Sequence, residues 1–153
     1  MKRFAAAALL SIVPWLGFAQ TEPTGPQAPL PEKKITIVTS DGKRHDFSVE
    51  VAATQQQQAT GLMFRRSVPE GHGMLFDWHE PQDTPMWMKN TLVPLDMIFV
   101  SSDGRVAHLA ENTVPQSLAT IPSGGPVRAT IEVAAGTAEK LDIRVGDKVE
   151  GAF

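Results

Sequence analysis

Cysteine is absent from the 153-residue chain, which removes disulfide staples, thiolate metal sites and a thiol nucleophile from consideration. A basic cluster is missing as well. Fourteen Lys and Arg against 17 Asp and Glu leave a formal net charge of −3, and an acidic domain without a basic stripe is repelled by phosphates. This argues against nucleic acid as a partner. No apolar run reaches the roughly 20 residues that span a bilayer. Neither a GxGxxG nor a GxxxxGK loop occurs, so a nucleotide cradle has no support. Internal repeats are also lacking.

What is present divides into three segments. Residues 1–19 join a basic start, Lys2 and Arg3, to an apolar stretch from Phe4 to Phe18. Small residues Gly17 and Ala19 stand at −3 and −1 of a cut after Ala19, the pattern of a secretory signal peptide. The expectation is an exported protein, periplasmic or secreted, with no membrane span once the signal is removed. Residues 20–32 carry Pro at 23, 26, 29 and 31, which predicts an extended, solvated tether acting as a spacer. Residues 33–153 are then one folded domain of about 120 residues, enough for a single core.

Short strands punctuated by turns dominate this domain. Strands are expected at 35–39 and 45–51, joined by the Asp41-Gly42 turn. Thr54 and Gln57 form a capping-box pattern that starts a short helix over 55–63, with Gly61 as its terminator. Further strands are read at 73–78, 84–89, 95–100, 106–111, 126–133 and 147–152, with 95–100 central and a helical turn or two at 135–141. No βαβ alternation is visible. About eight strands with one or two short helices predict a mainly β domain, a single compact sandwich or partly closed barrel.

The densest unusual segment runs from Gly61 to Asp96. It holds Gly61-Leu62-Met63-Phe64-Arg65, Gly73-Met74-Leu75-Phe76, Trp87-Met88-Lys89-Asn90-Thr91 and Pro94-Leu95-Asp96. With Asn112-Thr113-Val114-Pro115 and Glu132-Val133-Ala134-Ala135-Gly136 farther on, this string resembles the domain of unknown function 192 (DUF192) over 47–149. The resemblance implies a compact, mainly β domain, often exported. It implies no activity, so no functional residue is carried over from it. Met86 and His72 lie beside the signature rather than within it.

The residues must therefore be weighed by their chemistry. Arg65, Trp87, Lys89, Asn90, Asp96 and Glu132 are the candidate ligand-binding pocket. Arg65 or Lys89 would hold a small anion or carboxylate, with Trp87 and Trp78 as aromatic walls. The structural alternative pairs Arg65 with Asp96 or Glu132 as a buried ion pair, which a buried charge requires. Asn90-Thr91 equally suits a turn whose side chains bond the backbone. Met63, Met74, Met86, Met88 and Met97 fall within 35 positions. Thioethers are soft donors, and Met86 and Met88 share a strand face, so Cu(I) is an alternative to the plain reading that methionine fills core gaps and that no metal is held.

His45, His72, His79 and His108 show no ligand spacing, and His45 and His79 are expected to be solvated. No GxSxG elbow accompanies Ser67 or Ser117. The sequence thus points to a non-enzymatic exported domain without a cofactor, binding an unknown small molecule or an envelope protein. The alternative is an enzyme on a small polar substrate using Asp96 and Arg65.

Overall fold

The structure, a computed structural model of the chain, describes residues 22–153. The expected signal peptide at 1–19 lies outside the described residues. Seven strands form one sheet in the order β5-β4-β6-β3-β2-β1-β7. They are β1 Glu32–Val38, β2 Arg44–Ala52, β3 His72–Asp83, β4 Leu95–Val100, β5 Val106–Ala110, β6 Pro126–Ala134 and β7 Lys148–Glu150, with helices α1 Gln55–Thr60 and α2 Thr137–Leu141. The sheet curls until its ends approach: Val106 N donates to Asp147 O at 2.9 Å and Val149 N to Gly104 O at 2.7 Å. The mainly β, partly closed barrel expected from the sequence is what forms.

Each local element has its reason. The Asp41-Gly42 turn closes the β1–β2 hairpin, with Gly42 at φ 83°. Thr54 caps α1 by accepting from Gln57 N, and the Gln57 side chain accepts from the Thr54 amide in return. Alternation then sorts side chains between two cores. The inner core takes Ile35, Ile37, Val49, Leu75, Ile98 and Ile131, packed against α2. The outer core takes Met74, Phe76, Met88, Leu95, Met97 and Phe99 and lies under the loops that follow α1 and β3.

Four readings are corrected. Segment 84–89 is not a strand but a single bridge of Met86 to Ile121, so the described residues hold seven strands where about eight were expected. β3 instead runs past Trp78, through Pro81, and regains β6 after a bulge between Asp77 and Gln82. β4 is second from an edge rather than central, and all six of its residues are buried because both faces of the sheet are covered. One βαβ unit does exist: β2 and β3 pair in parallel across α1. The fourth concerns the Pro-rich segment, which is extended and mostly exposed, but docked on the domain at several points rather than free. Gln27 Nε2 donates to the carbonyls of Gln57 and Gly61 at 3.1 and 2.9 Å. Leu30 N donates to Glu50 at 2.8 Å, and Val51 N to Pro31 O at 2.9 Å.

Candidate functional site

Register across the outer face sets Glu50, Met74, Glu132, Met97 and Ala110 in one row spanning β2, β3, β6, β4 and β5. Two carboxylates occupy that row, and their surroundings differ. Glu50 receives Arg65 Nη2 at 2.9 Å and the Leu30 amide. Glu132 is 4% exposed and, among the described residues, its carboxyl meets neither a hydrogen-bond donor nor a cation. Burial alone pushes it up to about 8, because a charged carboxylate in an apolar setting forfeits its hydration without compensation.

Glu132 lines a crevice of about 30 Å³ whose other walls include Gly61, Met63, Met86, Trp87 and Lys89. That space accommodates one water or one ion. At its rim Lys89 Nζ sits 5.1 Å from the centre of the Trp87 ring and pairs with Glu22 at 2.6 Å. The docked Pro-rich segment thus supplies the counter-charge of the rim lysine. Trp87 is 47% exposed, so it lines the crevice only at its open edge. Trp78 stacks on Phe76 and donates Nε1–H to Thr130 Oγ1 at 3.1 Å.

Of the six predicted pocket residues, Trp87, Lys89 and Glu132 come together at the crevice. Arg65 does not join them. It binds Glu50 and neither Asp96 nor Glu132, the two partners expected. Asn90 adopts φ 54° and its carbonyl accepts from Phe64 N at 2.8 Å, so it makes a turn. Asp96 alternates with Met97 and so points away from Glu132, to the inner side of the sheet. There it is fully buried and accepts from Asn112 N and Ala138 N, each at 2.9 Å, tying the start of α2 to β4. Substrate has no route to either oxygen. The alternative that uses Asp96 and Arg65 together lacks its geometry, since the two belong to different faces and different partners.

The methionines divide in the same way. Met63 and Met86 line the crevice with Glu132. Met88 is buried, and its sulfur accepts from Thr113 Oγ1 at 3.2 Å. His79 is exposed on the surface, as expected. His45, however, is half-buried on β2, and its Nε2 meets no partner among the described residues.

A family model matches residues 36–151, that of DUF192, described as Uncharacterized ACR. The chain belongs to the DUF192 family. Two solved structures are similar to this DUF192 domain. One is a proposed transcription regulator from Sinorhizobium meliloti 1021, 43% identical, covering 82% of this chain and 98% of that one with a TM-score of 0.80. The other is a protein of unknown function from Novosphingobium aromaticivorans DSM 12444, 38% identical, covering 86% and 99% with a TM-score of 0.76. No curated protein matches the chain. Among the described residues no helix is long and apolar enough to cross a membrane.

Proposed function

We propose that the protein is an exported, non-enzymatic binding domain whose binding element is the Glu132 crevice. The observation that carries this reading is a carboxyl on a 4% exposed residue that borders open space and has no partner among the described residues. Leaving such a group unpaired costs several kcal/mol in an apolar setting. Its neighbours in the row, Met74 and Met97, show what the sheet needs at that level: apolar side chains. Glu132 therefore serves something other than packing.

The basic and apolar leader at 1–19 supports export to the periplasm or beyond. A regulator role like that named for the Sinorhizobium relative has weaker support. Residues 20–153 retain 12 of the 14 bases, after Lys2 and Arg3, against all 17 acids. That balance opposes contact with a phosphate backbone.

The test compares Glu132→Leu with the wild type at pH 7.5. A carboxyl kept for binding is expected to be dispensable for folding, so the variant should melt higher. Should Glu132→Leu melt lower, the carboxyl is structural and the reading falls.

A further inference from the structure

We infer that the Glu132 crevice is a site for one soft monovalent metal ion, Cu(I) or its congener Ag(I), held by the Glu132 carboxylate and the thioethers of Met63 and Met86. This deepens the binding-domain reading and rests on it. Four features of the crevice converge on that chemistry.

Size comes first. About 30 Å³ is room for a single ion or water. Charge is second. One carboxylate, its proton displaced by the ion, neutralises a monovalent charge, whereas a divalent ion would keep a net positive charge in an apolar surround. Harder divalent ions also want several oxygen or nitrogen donors, and no group of three His, Cys, Asp or Glu side chains is found among the described residues. Softness is third. Met63 and Met86 line the space, while Met74 and Met97 flank Glu132 on the adjoining strands. Thioethers are the protein donors that prefer Cu(I) in an environment without thiols.

The fourth feature is availability. Met63 Sδ receives only a long contact from Asn90 Nδ2 at 3.8 Å, and Glu132 is unpartnered among the described residues. Met88, by contrast, has its sulfur occupied by Thr113 and does not border the crevice. The sequence pairing of Met86 with Met88 thus becomes a pairing of Met86 with Met63. The cations nearby are already matched, Lys89 by Glu22 and Arg65 by Glu50.

The experiment titrates the purified protein with Ag(I) nitrate, following the methionine methyl resonances. A parallel anaerobic titration with ascorbate-reduced Cu(I) competes the protein against bicinchoninate. A 1:1 complex is expected, with the largest shifts at Met63 and Met86. The isosteric pair Met63→Leu and Met86→Leu should weaken binding at least roughly tenfold, about 1.4 kcal/mol, as should Glu132→Gln. Met88→Leu should bind like the wild type. The site is overturned if neither ion binds more tightly than the chelator holds it. It is equally overturned if the Met63→Leu, Met86→Leu protein binds as the wild type does, or if Met88→Leu weakens binding as much. Failure here with a stabilised Glu132→Leu protein removes the metal and leaves the crevice as a binding element. A destabilised Glu132→Leu protein removes both.

Discussion

Glu50 and Glu132 stand in one row of the outer sheet face with Met74 between them, and among the described residues Glu50 alone of the two is matched by a cation. Neighbouring strands are about 4.8 Å apart, so Arg65 serves the first carboxylate and leaves the second bare about two strands away. The fold can build an ion pair at this level of the sheet and does so once. That asymmetry separates structural from functional polarity in this domain.

Arg65 belongs to the structural side. Its pair with Glu50 is mostly buried, with 23% and 15% of the two side chains exposed. Arg65→Ala is expected to cost about 1–3 kcal/mol, between the worth of a surface pair and that of a fully buried one. Denaturant midpoints at unchanged slope measure it. Ag(I) affinity should stay as in the wild type, because Arg65 does not line the crevice. A variant of wild-type stability would show that the pair contributes nothing.

Asp96 is structural in a different way. Both of its oxygens accept backbone amides across the inner face. Asp96→Ala leaves the buried Ala138 N–H and the part-buried Asn112 N–H without acceptors and should cost roughly 2–4 kcal/mol. Asp96→Asn keeps one acceptor and should cost less. Faster hydrogen exchange at Asn112 and Ala138 is the local signature, and its absence in Asp96→Ala would refute this role.

Much of this arrangement is legible in the sequence, for identifiable reasons. The Asp41-Gly42 turn, the Thr54 and Gln57 box and the apolar 95–100 run each carry a local signal, and each appears where expected. The parallel β2–β3 pair is not legible, because its crossover helix of six residues is too short to show a helical period. The tail of β3 reads His-Glu-Pro-Gln-Asp, polar and interrupted by Pro81, so nothing local marks it as a strand. Met-Trp-Met at 86–88 imitates strand alternation yet makes one bridge only. At the site, Glu132 alternates with Ile131 and Val133 like any solvent-facing residue on a half-buried strand. The loops that cover its face come from elsewhere in the chain, so neither its burial nor its isolation from Arg65 can be read locally. The crowding of five methionines into one stretch is the available signal, and it points to the same outer core.

Gly73 gives a backbone test of the same region. A Cβ placed there would stand 2.2 Å from the Glu132 carbonyl oxygen, so the β3–β6 approach beside the crevice requires glycine. Gly73→Ala must push apart a pair of hydrogen-bonded strands and is expected to cost more than about 3 kcal/mol. Thermal unfolding reads this directly. A melting temperature within a degree or two of the wild type would show that the strands separate at little cost.

Glu132 itself predicts how stability depends on pH. Its folded-state value is pushed up to about 8 by burial, while the unfolded chain titrates near about 4.3. Between those limits the folded protein keeps a proton that the unfolded chain has lost. Stability from this group is therefore intact in acid, falls as pH rises by up to about 1.4 kcal/mol per unit, and levels off above pH 8, where both states are ionised. The surface carboxylates work in another window. Lys148 and Arg44 hold Glu150 down to about 2, so its contribution is lost only as pH drops below the ordinary carboxylate range. Glu132→Gln removes the first effect and leaves the second. Denaturant midpoints for both proteins from pH 5 to 9 should diverge as pH rises, the variant gaining on the wild type until about pH 8 and running parallel thereafter. Two curves parallel throughout would mean that the carboxyl is already ionised at pH 5, stabilised by a partner.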